Sequence, residues 1–280
     1  MKTKLIAEAG STKIEWTLLI DGQPRRLGPT PGINPVIADD NCLRQGLGAV
    51  VPVLGGVVPD EVYYYGAGCV PAQCPRVASM LSQITGAQHI EVHSDLLAAA
   101  RGLLGDEKGI ICILGTGSNS GYYDGSEITF SVPSMGYILG DEGSGAVLGA
   151  RLVGDVFKNV FPPELCEDFR RETQLTLEDV MGNTYRRPAP NRFLASLVPF
   201  LRTHIDHPYV RHLVTVELCR FLDRNVTKYK GYEGMPLAFT GSVAAGFEPQ
   251  LRRAATVIGC TVGFIEASPL EGLIKYHLTH

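Results

Sequence analysis

Hydrophobic positions fall into short blocks along the chain, and their period changes from block to block. Leu5 to Ala9 reads as a buried strand, interrupted by one acid, Glu8. Gly10-Ser11-Thr12-Lys13 reads as a turn, after which Ile14, Trp16, Leu18 and Ile20 alternate as a strand with one buried face. Asp21-Gly22 is a hairpin signal leading to a third strand near Arg25 to Leu27, followed by a Pro/Gly-rich loop from Pro29 to Pro35. A helical period covers residues 37–53, weakened by Gly46 and Gly48. Val62 to Tyr65 is a strand, residues 73–85 a helix, His89 to Val92 a strand and Leu96 to Leu104 an apolar helix.

A second series begins at Ile110 to Leu114. It passes through Gly115-Thr116-Gly117-Ser118 and leaves along the strand-like Ser120 to Tyr123. Tyr137 to Leu139 reads as a strand before Gly140-Asp141-Glu142-Gly143-Ser144-Gly145, which opens a helix to about Phe157. Residues 163–181 and 191–230 carry helical periodicity. Leu237 to Thr240 is a strand broken by Gly241-Ser242, a helix runs from Phe247 to Ile258, and Thr261 to Ile265 is the last strand. The final helix has Ser268 as N-cap, Pro269 at its first position and Glu271 completing a capping box. Strand, Gly/Ser/Thr turn, strand is thus written twice, about a hundred residues apart, an interval of domain size. The pattern predicts an α/β protein of two similar lobes facing one ligand.

Length and charge narrow the class. A chain of 280 residues with 45% hydrophobic and 19% charged residues is long and apolar enough for a globular α/β protein of about two domains. The net charge of −4 and the lack of a basic stripe argue against nucleic acid and anionic membranes as partners. Seven scattered cysteines fit free thiols in a reducing compartment, and the N-terminal apolar run stops at Glu8, short of a signal peptide. The expected location is the cytoplasm. Cys69 and Cys74 have no second pair to complete a metal site, and His204, His207 and His212 fall on a polar helical segment as solvated residues.

Several residues carry candidate chemistry. Gly10 to Lys13 and Gly115 to Ser118 are either ordinary hairpin turns or anion cradles built from backbone N–H groups and hydroxyls. Ser94-Asp95, between a strand and a helix, offers a helix cap or a carboxylate projecting from the helix start. Such a carboxylate is suited to accept a proton from an attacking hydroxyl. Asp141 and Glu142 are acids favoured at a helix N-terminus, or ligands to a sugar hydroxyl or a metal-bound water. Glu8, at the end of a buried strand, is costly unless something such as hydrated Mg²⁺ compensates it. Gly241-Ser242 follows a strand and precedes a helix, as where a nucleotide approaches backbone. No P-loop and no G-x-G-x-x-G after a strand is present.

Together these stretches resemble the actin-like ATPase and sugar kinase superfamily, and most closely its N-acetylglucosamine kinase-like branch, the BadF/BadG/BcrA/BcrD-type ATPases. Ala7 to Lys13 is similar to the first phosphate motif, Leu114 to Asn119 (L-G-T-G-S-N) to the second, and Phe239 to Ala244 to the adenosine motif. Asp95 in His93-Ser94-Asp95 matches the catalytic aspartate. Gly140 to Gly145 (G-D-E-G-S-G) and the ending Ser268 to Leu273 also resemble the branch, and Asn34 falls where it places a sugar-binding asparagine.

The resemblance implies a two-lobed actin-like ATPase (ribonuclease H-like) fold, with duplicated lobes around a nucleotide cleft. Residues 1–104, completed by a C-terminal helix at 268–280, would form the N-terminal lobe, and residues 105–267 the C-terminal lobe. It implies ATP and Mg²⁺ as cofactors, a small sugar as substrate, and a homodimer as an open expectation. Asp95 would act as base. Gly10, Ser11, Thr12, Lys13, Gly115, Thr116, Gly117 and Ser118 would hold phosphate, Gly241 and Ser242 the nucleotide. Asn34, Asp95, Thr116 and Asp141 would hold the sugar, and Glu8 would hold the metal through water. Three departures bear on activity: Glu8 where the family's first motif carries Asp, Ala9 where it carries Gly, and Met135 where related sugar kinases often carry Trp. Two other functions compete: an ATP-binding sensor without transferase activity, and a dehydratase-activating ATPase holding an iron–sulfur cluster, for which Cys112 and Cys166 are the nearest thiols.

Overall fold

The computed structural model describes residues 2–10 and 12–280, which divide into two units, Met1–Asp106 with Pro269–His280, and Glu107–Ser268.

In the first unit β1 (Thr3–Ala9), β2 (Lys13–Ile20) and β3 (Gln23–Pro31) form an antiparallel meander. Asp21 and Gly22, both at positive φ, make the turn that the Asp-Gly pair predicts. β4 (Glu61–Gly66) adds parallel to β1 and β5 (His89–Ser94) parallel to β4, giving the order β3-β2-β1-β4-β5. Leu5, Ala7, Trp16, Val62 and Tyr64 bury one sheet face against Leu43, Val77 and Leu81. Trp16 Nε1 donates to Thr30 Oγ1 at 2.8 Å, which satisfies the buried indole. The helix expected over 37–53 is two pieces, α1 (Asp40–Gly48) and α2 (Val50–Leu54). Pro52 has no N–H to give the Gly48 carbonyl, so the first helix ends there. α3 (Cys74–Thr85) and α4 (Asp95–Leu104) follow β4 and β5.

The second unit repeats this plan. β6 (Gly109–Leu114), β7 (Ser118–Tyr123) and β8 (Ile128–Val132) are antiparallel neighbours; β9 (Leu237–Thr240) runs parallel to β6, and β10 (Val262–Glu266) parallel to β9. The order β8-β7-β6-β9-β10 is that of the first sheet, strand for strand. Ile110, Cys112, Leu114, Phe221 and Phe239 lie in its core.

Four differences from the sequence reading have local causes. β8 goes unannounced because it is the sheet edge, with its three central residues exposed. Tyr137 to Leu139, expected as a strand, lies in one helical turn, α5 (Gly136–Leu139), closed by Gly140 N–H on the Gly136 carbonyl at 2.7 Å. The helical stretch 191–230 breaks into Pro190–Ala195, Val198–Thr203 and Pro208–Arg224, with Pro199 and Pro208 in the first turns of the later two. The final helix, Leu270–Thr279, has Pro269 at the N-cap position, and Glu271 pairs with Arg26.

Candidate active-site residues of the two units

In the first unit β1 brings Glu8 level with Glu15 on β2 and Tyr65 on β4. Burial and the neighbouring charge of Asp95 push the Glu8 carboxyl up to about 7. Asp95 is the first residue of α4. Ser94, not Asp95, caps that helix: Ser94 Oγ accepts the Leu97 N–H at 3.3 Å, and Asp95 Oδ1 accepts the Leu96 N–H at 2.9 Å. Burial raises the Asp95 carboxyl against the pull of the Leu96 N–H and its own N–H. The same carboxylate adds to burial in raising the thiol of buried Cys69 to about 12. Glu8 and Cys69 thus both feel the charge of Asp95. The sequence marked Cys69 only with Cys74, as an incomplete metal pair, because its place depends on the loop after β4.

The turn after β1 is closed by Gly10 N–H on the Lys13 carbonyl at 2.9 Å, and Thr12 O accepts the Gly32 N–H at 3.0 Å. A Cβ on Gly32 would stand 2.5 Å from the Gly10 oxygen, so only glycine lets the following loop lie on the turn. Thr12 is exposed and Lys13 pairs with Glu15. Ser11 lies outside the described residues. Asn34 Oδ1 accepts the Val36 N–H at 2.9 Å, and its amide lies against Gly68 in the loop after β4.

In the second unit two motifs separate in sequence meet. The hairpin Gly115 to Ser118 turns its carbonyls onto α6 (Gly145–Phe157): Gly145 N–H donates to Gly115 O at 2.8 Å and Ala146 N–H to Thr116 O at 3.0 Å. Among the described residues the Thr116 and Gly117 N–H groups have no backbone acceptor, the condition for an anion cradle. Asp141, in the left-handed region at φ 53°, is buried beside this hairpin, and its Oδ1 accepts the Ser118 N–H at 3.3 Å. Burial, and to a lesser extent Glu142, raise the Asp141 carboxyl to about 6. Glu142 pairs with Arg224, and Ser144 Oγ caps α6 at Val147 N–H, 3.3 Å. Gly241 follows β9 at φ 113°, where a Cβ would stand 2.3 Å from the Leu114 carbonyl oxygen. Gly241 thus brings the β9 end onto the root of the Gly115–Ser118 hairpin, and Ser242 starts the short helix Ser242–Gly246.

Cys112 and Cys166 are buried in the second unit's core, and the Cys166 thiol faces the Phe161 carbonyl at 3.4 Å. Neither thiol is presented at a surface as an iron–sulfur ligand shared between subunits requires. Met135 is exposed, at φ 62°. His204 pairs with Glu172 and His207 with Glu164. Among the described residues no cluster of three or more His, Cys, Asp or Glu is arranged for direct metal binding, and no helix is long and apolar enough to cross a membrane.

No protein-family model matches the chain, and no curated protein matches it. Among solved structures it is similar to the "Putative N-acetylglucosamine Kinase" of Porphyromonas gingivalis, with 43% identity, a TM-score of 0.93 and coverage of 100% of this chain and 99% of that one. The protein of the same description from Chromobacterium violaceum has a TM-score of 0.75 at 17% identity, over 99% of each chain. A ROK family glucokinase from Streptomyces griseus, solved with glucose and AMPPNP, has a TM-score of 0.56 at 14% identity, over 98% of this chain and 97% of that one. The two more distant likenesses show a shared fold, and the first, at full length, shows kinship: this chain belongs to the N-acetylglucosamine kinase-like family of the two-lobed actin-like ATPase and sugar kinase superfamily.

Proposed function

We propose that this protein transfers the γ-phosphoryl group of ATP to a hydroxyl of an amino sugar, N-acetylglucosamine or a close relative. The observation that carries the reading is the position of Asp95, buried as the first residue of α4 where its charge acts on Glu8, in a chain 43% identical to the Porphyromonas protein. The acceptor oxygen attacks the γ-phosphorus as the bond to the β-phosphate oxygen breaks and ADP leaves. The acceptor proton passes to Asp95, whose affinity for it is raised by burial.

Glu8 and Asp95 are two carboxylates pushed upward together, an excess of negative charge that suits a cation. Glu8 would hold hydrated Mg²⁺ through water, and the ion would neutralise charge on the phosphate oxygens. Gly10 to Lys13 would bind phosphate, and so would Gly115 to Ser118, through the open Thr116 and Gly117 N–H groups and the Thr116 and Ser118 hydroxyls. Gly241 and Ser242 back the nucleotide. Asn34 and Asp141 hold sugar hydroxyls, as does Thr116.

An ADP-release screen across N-acetylglucosamine, N-acetylmannosamine, glucosamine and glucose, with and without Mg²⁺, tests the reading. Release that depends on an amino sugar supports it; ATP binding with no turnover on any sugar overturns it in favour of a nucleotide sensor.

A further inference from the structure

α4, which begins at Asp95, is gripped from behind by the final helix. A Cβ on Gly272 would stand 1.7 Å from the Gly102 carbonyl oxygen, and one on Gly102 2.5 Å from that of Pro269, so the two backbones touch. A polar chain runs beside this contact. Arg101 Nη1 donates to the Tyr65 hydroxyl at 2.7 Å, and that hydroxyl lies 2.9 Å from His277 Nε2. Arginine can only donate, so the phenol oxygen accepts from Arg101, and its own proton is available to His277 Nε2 in the neutral tautomer protonated at Nδ1. Burial, with the charges of Arg101 and Lys4, holds the imidazole down at about 3. Lys4 Nζ donates to the His277 carbonyl at 3.0 Å, and the His277 ring packs on Tyr63 at 4.3 Å between centroids. Glu91 and His93 of β5 are the other charged or titratable groups nearby, and the Arg101 guanidinium lies 5.1 Å from the Tyr276 ring.

This chain of groups costs desolvation that apolar packing would avoid. Its members come from β4, α4 and the final helix, and Tyr65 stands opposite Glu8 in the β1–β4 register. A satisfied buried network gives a single geometry where apolar contacts would allow slippage.

We propose that Tyr65, Arg101 and His277 are positioning residues that fix α4 and so hold Asp95, its first residue, in place. The inference rests on Asp95 being the base, as proposed above. None of the three acts on substrate; they act through the placement of α4.

The test compares Tyr65→Phe, His277→Leu and His277→Gln, whose amide oxygen still accepts the phenol proton. Misplacement of the base lowers kcat about tenfold in the first two, with KM for ATP within about twofold, and His277→Gln recovers most of the rate. Amide exchange at Leu96 and Leu97 quickens about tenfold in the same two variants while β1 and β2 keep their protection. Exchange is read without ATP or sugar, so it judges the coupling even if the kinase reading fails. If His277→Leu does not fold, Tyr65→Phe, which deletes one oxygen, and His277→Gln decide the matter. A folded Tyr65→Phe protein with wild-type exchange at Leu96 and Leu97, or one with altered exchange and wild-type kcat, overturns the proposal.

Discussion

Asp141 accepts the backbone N–H of Ser118 at 3.3 Å, which joins the G-D-E-G-S-G turn to the Gly115–Ser118 hairpin inside the second unit. Its carboxyl sits near 6 because it is buried. If the ionised form holds a sugar hydroxyl, kcat/KM for the sugar falls as pH drops through about 6. Asp141→Asn keeps an acceptor for Ser118 but loses the charge-assisted bond. The variant should lose about 10- to 100-fold in kcat/KM above pH ~6, a deficit that narrows as pH falls below it. A wild-type profile flat between pH 5 and about 7.5 would count against this role.

Glu8 links pH to stability. Its folded value of about 7 lies above the ordinary 4.5, so the folded protein holds the proton more tightly than the unfolded chain. The stability this contributes is complete below about 4.5 and is lost as pH rises to about 7. Glu8→Gln removes the charge, so its melting temperature should exceed wild type by about 3–6 °C at pH 8 and show no such gain at pH 4. An equal difference at both pH values would refute the shift.

Gly241 is set by backbone geometry. At φ 113°, with the Leu114 oxygen 2.3 Å from any Cβ, alanine is strained and obstructed at once. Gly241→Ala should cost about 2–4 kcal/mol in urea unfolding, with the slope unchanged. A loss below about 0.5 kcal/mol would mean that the β9–β6 junction yields easily.

The sequence carried the two hairpins because Gly, Ser and Thr between alternating apolar runs leave few local alternatives; the matching strand order of the two sheets was not legible, since the exposed edge strand β8 left no signal. It also marked Asp95, but left capping open; Ser94 does that work, and only the built helix start shows it. The meeting of Asp141 with Ser118 and the Arg101–Tyr65–His277 chain were not legible. Each joins residues from different elements, and no spacing encodes such a contact. Tyr137 to Leu139 misled because three apolar residues are too few to tell a strand from a helical turn.

Asp95→Asn decides the mechanism. Asparagine can still accept the Leu96 N–H, so α4 keeps its start, while the proton acceptor is gone. Sugar-dependent ADP release should fall by about 10²- to 10⁴-fold, with ATP affinity held within about twofold. Wild-type turnover in that variant would show that the acceptor proton leaves by another route.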